Sequence, residues 1–185
     1  MSTNTSVAEN LKTTIEKVEH YTLVMLSSAS VFAVLSFAKV KDGDVVRWEL
    51  LGFPLDFSPP LALAVLYLLY FFSCVIADNM LLHIRDLAGK LDDQQVNDIL
   101  GYPSILTVSP IASLLATVVP AVLVIIGLAK MHIQGAYQVH WIVWGFAYGF
   151  GLLGLLVFVR FYKVIVPHLD DWLGSSRKVG RSGGK

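Results

Sequence analysis

The stretch PLALAVLYLLYFFSCVIADNMLLHI, residues 60–84, is mostly apolar and contains a single carboxylate, Asp78, in its second half. About 20 consecutive apolar residues in a helix are enough to cross the hydrocarbon core of a bilayer. Lipid offers the backbone no hydrogen-bond partners, so a segment that crosses it must be helical. The stretch therefore predicts a transmembrane helix.

Three further apolar runs predict three more spans, at about residues 21–38, 108–129 and 141–161. Across the chain, 55% of the residues are hydrophobic and 15% are charged, whereas a soluble domain has about 25% charged residues. The sequence therefore predicts an all-α, polytopic membrane protein, with a four-helix transmembrane bundle as the single domain over residues 1–173. Residues 174–185 are rich in Gly, Ser and basic side chains and are expected to form a disordered tail.

The distribution of Lys and Arg predicts how the bundle is oriented. Most of the 14 basic residues lie before the first span, between spans two and three, or after span four. Because such residues stay on the cytoplasmic side, both termini are predicted to be cytoplasmic. We expect an integral protein of a bacterial inner membrane, with the lipid bilayer as its surroundings. The zero net charge gives no electrostatic reason to expect direct nucleic acid binding.

The segment before the first span predicts an amphipathic helix on the cytoplasmic side. Leu11, Ile15 and Val18 recur at helical spacing, with Lys and Glu between them. Ser6 and Glu9 fit a capping box, which would begin this helix. The apolar stripe needs a cover, which is either the membrane surface or the loop after span two, or else a partner protein or second subunit.

The sequences of the loops on the two sides of the membrane predict different local structures. Residues 39–58, on the outer side, contain alternating β-forming residues interrupted by Gly and Pro, which favours a short hairpin or extended flap. Pro59 and Pro60 are expected to begin span two, because proline at a helix start loses no helix hydrogen bond. After span two, Asp92 or Asp93 can cap a short helix over Asp93–Leu100.

Span four contains four glycines at Gly145, Gly149, Gly151 and Gly154. Small residues allow helix backbones to approach closely, which favours helix association in lipid. The glycines lie on two helix faces, so the sequence predicts packing inside the bundle on one face and self-association on the other. The alternative is that both faces pack internally.

A stripe of hydroxyl side chains follows span three. Ser109, Ser113 and Thr117 recur every four residues, and Pro120 lies one turn further along. In an oligomer this stripe could line a water-filled pore. The alternative is that these hydroxyl groups bond to their own helix or to a neighbouring one. No charged side chain lies at the centre of a span, which argues against a proton-coupled transporter.

Three charged residues at the inner boundary form a candidate ion pair: Asp78 and Arg85 in span two and Arg160 in span four. A carboxylate at such a depth is costly unless it is paired or hydrated. We therefore expect a salt bridge between the two helices. The functional alternative is a cation or ligand site at the cytoplasmic mouth.

Catalytic and cofactor motifs are missing from the sequence. It contains no phosphate-binding loop, nucleophile elbow or paired metal-binding cysteines. The five histidines lie at or near span ends, whereas a haem held across the bilayer needs paired histidines within the spans. We therefore expect no enzymatic activity, no cofactor and no metal.

These observations favour a homo-oligomeric membrane scaffold or sensor that presents a cytoplasmic helical surface to a soluble protein partner. The residues expected to face this partner are Leu11, Ile15, Val18, Asp92, Asp93, Asp98 and Trp172. In build the chain looks like the small membrane components of multi-protein bacterial systems, including membrane-associated anti-phage systems such as Kiwa. The alternative function is a small oligomeric ion channel or pore-forming effector lined by span three.

Overall fold

The computed structural model describes residues 2–38, 45–50, 53–100, 110–134 and 140–164. These residues form helices α1 to α5 and strands β1 and β2, which are, in chain order, α1 (Ser2–Phe37), β1 (Val46–Leu50), β2 (Phe53–Phe57), α2 (Pro59–Ala88), α3 (Asp93–Leu100), α4 (Pro110–Ile133) and α5 (Trp141–Gly151). After a turn at Leu152, the chain is helical again over residues 153–164. The predicted tail at 174–185 lies outside the described residues.

Four of the helices are long and apolar enough to cross a membrane, which is consistent with an integral membrane protein. We call them spans one to four, and their bounds are Thr5–Phe37, Pro59–Ala88, Leu115–Ile133 and Trp141–Val164. The number of spans and their approximate positions agree with the sequence prediction. The helices extend beyond the predicted limits, because hydropathy marks only the part of a helix that suits lipid.

Spans one and two are longer than a bilayer core requires. Helix α1 has 36 residues and α2 has 30, so at 1.5 Å per residue they are about 54 and about 45 Å long. The hydrocarbon core is about 30 Å thick. The surplus residues lie at the start of α1 and at the end of α2, where charged side chains occur. Both helices therefore continue past the apolar zone at the same end of the bundle.

These surplus residues and α3 form what we call the three-helix extension: residues 5–20 of α1 and residues 79–100, which comprise the end of α2, the turn after it and α3. Its interior is part of the main apolar core. Helix α3 is capped as predicted, because the Asp92 carboxylate accepts a hydrogen bond from the backbone N–H of Gln95 at 2.8 Å. The opposite end of the bundle carries the two strands, and we call it the hairpin end.

The predicted hairpin between spans one and two is present. Strands β1 and β2 are antiparallel, and Val46 pairs with Phe57 at the open end. Arg47 and Asp56 face each other across the strands, with 3.0 Å between Nε and Oδ1. The hydrogen bond to Asp56, and then the charge of that carboxylate, raise the pKa of the Arg47 guanidinium.

The four spans contribute unequally to the core. Helix α1 packs against both α2 and α4, and α5 packs against α4. Within the most apolar 18-residue stretch of each span, 39% of the residues are buried in spans one, two and three. In span four the buried share is only 22%. Span four is therefore the peripheral helix of the described bundle.

Candidate functional site

The predicted ion pair at the inner boundary links spans two and four through Asp78 and Arg160. The Nε atom of Arg160 lies 2.7 Å from Oδ1 of Asp78, and both side chains are partly exposed. Oδ1 itself is buried and accepts no hydrogen bond within the described part of the chain. The short distance thus reflects charge attraction with poor hydrogen-bond alignment. Such a contact can join two helices where lipid disfavours a lone charge.

Arg85 does not share this ion pair, which corrects the prediction. Its Nε atom lies 3.7 Å from Oδ1 of the adjacent Asp86, and both side chains are well exposed. Seven residues along a helix correspond to about 10 Å of axial rise, so Arg85 lies about two turns beyond Asp78. Arg160 occupies the position beside the carboxylate instead.

The apolar stripe of the N-terminal helix is covered by the chain itself. Leu11, Ile15 and Val18 are 0%, 7% and 1% exposed and belong to the main core cluster. Buried side chains of α2 and α3 belong to the same cluster, at Leu81, Ile84, Leu87 and Val96. The structure thus agrees with the alternative in which the segment after span two covers the stripe, because the continuation of α2 and the short helix α3 pack on it. The prediction that these three residues face a partner is wrong.

The described acidic side chains at the end of α2 and in and beside α3 lie on the surface of the extension. Asp86, Asp92 and Asp98 are exposed at the end of α2 and along α3. Asp93 is the first residue of α3, at a position where the structure does not describe the side chain. Trp172 lies outside the described residues. The predicted partner-facing surface is thus reduced to its charged part.

The two described residues of the predicted pore stripe do not lie on an outer face of the bundle. Thr117 is 1% exposed and Pro120 is also buried, so both point into the chain's own core. Ser109 lies outside the described residues, and Ser113 is in α4 at a position where the side chain is not described. A pore between subunits needs outward-facing residues, so the prediction is wrong for Thr117 and Pro120.

The four glycines of span four divide into two pairs. A Cβ atom at Gly154 would lie 2.6 Å from Oη of Tyr70, and one at Gly151 would lie 3.0 Å from Cδ1 of Ile125. At Gly145 and Gly149, no atom of the described residues would lie within 4 Å of an added Cβ. The first pair therefore allows close packing inside the bundle, and the second leaves an open surface.

Two tyrosines that the sequence analysis did not single out connect span two to span four. Oη of Tyr67 donates a hydrogen bond to the Ala147 carbonyl oxygen at 2.7 Å. Oη of Tyr70 donates to the Gly151 carbonyl oxygen at 2.7 Å and accepts from the Gly154 backbone N–H at 3.2 Å. The spacing of three residues, which places both side chains on one helix face, is the only sequence signal for this pair.

A fifth glycine, Gly127, lies where α4 packs closely against α1. A Cβ atom at Gly127 would lie 2.7 Å from Cε1 of Phe32 and 3.0 Å from Oγ of Ser36. The hydroxyl group of Ser36 donates to the Phe32 carbonyl oxygen at 2.7 Å. Thr22 and Ser28 bond back to their own helix in the same way. Hydroxyl groups in span one therefore satisfy themselves locally, as is common in membrane helices.

Side chains that could hold a metal are dispersed in the described part of the chain. Over residues 2–38, 45–50, 53–100, 110–134 and 140–164, no three side chains from His, Cys, Asp and Glu come together. The sites that remain are the Asp78–Arg160 pair, the acidic surface of the extension, and the open glycine face. No family model, curated protein or solved structure significantly matches this chain.

Proposed function

We propose that this chain is a non-enzymatic subunit of a bacterial inner membrane that self-associates and presents the three-helix extension to a soluble cytoplasmic protein. In this proposal both termini are cytoplasmic, as the positions of Lys and Arg favour. The protein acts as a scaffold or sensor in a multi-protein system, of which membrane-associated anti-phage defence is one example.

The observation that carries the proposal is the construction of the extension. Helices α1 and α2 run without a break from the apolar zone into it, so a displacement at the extension is transmitted directly to spans one and two. Its described large apolar side chains are buried or half-buried, and its surface carries exposed carboxylates at Asp86, Asp92 and Asp98. A charged, solvated surface on a stiff support suits reversible contact with a soluble protein.

Self-association is supported by the open face of span four. Gly145 and Gly149 carry the small-residue spacing that favours close helix contact, and their face is uncovered in the described residues. Large apolar side chains flank it, at Trp141, Ile142, Phe146 and Phe150, and all are more than 40% exposed. A second copy of span four is the proposed cover.

The pore alternative has weaker support. It depended on outward-facing hydroxyl groups of span three, and Thr117 is buried inside the chain. Flux of ions through liposomes containing the purified protein, abolished by Thr117→Leu, would revive the pore.

A charge-reversal pull-down tests the partner surface. Asp86→Lys with Asp98→Lys should abolish recovery of the soluble protein that the wild type captures. The matched control is Glu9→Lys with Glu16→Lys, which makes the same change in net charge at exposed positions on the α1 part of the extension. This control should retain the partner, because the proposed contact is the acidic surface of α2 and α3. Equal capture by both variants, or no specific capture by the wild type, would exclude this surface.

Self-association requires its own test. Gly149→Leu places a bulky side chain on the open face and should shift the protein from oligomer to monomer in cross-linking and native mass measurements. Val122→Leu, at a 46% exposed position of α4, is the control and should leave the oligomer intact. A wild-type protein that is monomeric in lipid nanodiscs would refute this part of the proposal.

A further inference from the structure

All four spans contribute to a cavity of about 400 Å³ at the hairpin end of the bundle. Its floor consists of buried side chains from each span: Phe32, Leu63, Leu128 and Trp144. Its volume lies within the range of about 300–1,000 Å³ that is usual for small-molecule sites. The cavity is thus large enough to hold part of an organic molecule.

The mouth of the cavity lies between spans two and four. The exposed lining residues are Pro60 and Ala64 of α2 and Val143 of α5. A neighbouring apolar side chain on the outer surface of α2, Leu61, is also exposed. In a bilayer, lipid chains are what meet this surface, so the cavity opens toward the hydrocarbon phase.

The residues that line the cavity offer a water molecule almost no hydrogen-bonding groups. The phenol of Tyr67 lies in the wall, and its Oη already donates to the Ala147 carbonyl oxygen at 2.7 Å. A buried water needs two to four polar partners, and apolar cavities do not supply them. An apolar occupant, in contrast, would restore the dispersion contacts that wall atoms lose beside a void.

We propose that this cavity holds an acyl chain of a membrane lipid from the leaflet at the hairpin end. The chain enters between spans two and four and lies against Phe32 and Trp144. The proposal requires only that the four spans lie in a bilayer. It does not depend on the soluble partner or on self-association, so its failure would leave those proposals untouched.

Quenching of Trp144 by brominated lipid tests this directly. A protein with Trp144 as its only tryptophan, made with Trp48→Phe, Trp141→Phe and Trp172→Phe, is reconstituted in phosphatidylcholine with brominated acyl chains. Bromine quenches at short range, and Trp144 is only 9% exposed. With a chain in the cavity, Trp144 should still lose much of the fluorescence that the same protein shows in unbrominated phosphatidylcholine.

A variant with a larger side chain at the mouth of the cavity provides the control for this measurement. Ala64→Phe should abolish most of the Trp144 quenching, and it should remove the lipid that native mass spectrometry finds retained by the wild type. Val75 lies on nearly the same face of α2 as Ala64, three turns away and outside the cavity. Val75→Phe should therefore change neither the quenching of Trp144 nor the retention of lipid. Weak quenching of Trp144 in the parent protein, or strong quenching that Ala64→Phe leaves unchanged, would overturn the proposal.

Discussion

The hydroxyl group of Tyr70 donates a hydrogen bond to the Gly151 carbonyl oxygen at 2.7 Å, at the point where the helix of span four is interrupted. In an unbroken helix, the N–H of Leu155 would bond to Gly151, but here it bonds to the Leu152 carbonyl oxygen at 2.9 Å. The same Oη accepts from the Gly154 N–H. One side chain of span two thus satisfies two backbone groups that lipid could not satisfy.

Removal of this hydroxyl group should destabilise the bundle. Tyr70→Phe leaves the Gly151 carbonyl and the Gly154 N–H without their partner, and each unsatisfied buried group costs about 1–3 kcal/mol. We expect a lower melting temperature in detergent or nanodiscs. Tyr67→Phe is the matched control, because Ala147 lies within α5, where its carbonyl belongs to the regular helix ladder. Equal melting temperatures for the two variants would contradict this role of Tyr70.

Alanine at two glycines of span four should have opposite effects. A Cβ atom at Gly154 would lie 2.6 Å from Oη of Tyr70 and 3.0 Å from Cβ of Ala121, so Gly154→Ala should cost about 1–3 kcal/mol through overpacking. A Cβ atom at Gly149 would extend into open space, so Gly149→Ala should stabilise the helix by up to about 1 kcal/mol. Chemical denaturation of the monomer measures both, and a destabilisation at Gly149 as large as that at Gly154 would count against the packing described.

Loss of the charge pair should cost stability. Asp78→Asn leaves Arg160 without its carboxylate, and we expect a loss of up to about 3 kcal/mol, at the low end for buried pairs because both side chains are partly exposed. Arg85→Gln removes an exposed contact with Asp86 and should change stability by less than about 1 kcal/mol.

Exchanging the two charges shows whether attraction between Asp78 and Arg160 itself stabilises the fold, or whether the protein simply tolerates or rejects each substitution by itself. Asp78→Arg and Arg160→Asp should each reduce the yield of folded protein, and the double variant should recover part of it. A double variant no better than the worse single variant would show that the ion pair does not join spans two and four.

Truncation inside the extension should loosen α3. Leu11 is fully buried, and Leu→Ala substitutions in cores cost about 2–5 kcal/mol. We expect Leu11→Ala to accelerate amide hydrogen exchange in α3 and at the end of α2. Thr13→Ala, at an exposed position two residues along the same helix, should not. Unchanged exchange in Leu11→Ala would mean that α3 does not depend on this core.

Local patterns predicted much of the fold. The four spans, the hairpin and the cap of α3 by Asp92 all follow from apolar run length and turn chemistry, which are properties of short segments. The capping box at Ser6 and Glu9 was wrong, because α1 begins at Ser2 and places Ser6 inside the helix. A capping motif is a preference that helical continuation can override.

Contacts between helices were much harder to predict. The stripe of Leu11, Ile15 and Val18 shows that one face must be covered, but periodicity does not decide whether the membrane surface, the loop after span two or a partner covers it. Tyr70 and Gly127 gain their roles only from the helix that lies opposite, at Gly154 and Phe32. Such pairings depend on the rotation and depth of each helix, which a single sequence does not specify.

In the proposed arrangement, the extension and the hairpin lie on opposite sides of a membrane. A membrane-impermeant maleimide tests it on single-cysteine variants in a Cys74→Ser background, since Cys74 is the one cysteine of the chain and is buried. The exposed positions Lys17→Cys, Asp98→Cys and Asp56→Cys serve as probes. We predict that intact spheroplasts label only Asp56→Cys, and that the other two react only after permeabilisation. Labelling of Lys17→Cys and Asp98→Cys from opposite sides, or of all three from the same side, would contradict the account.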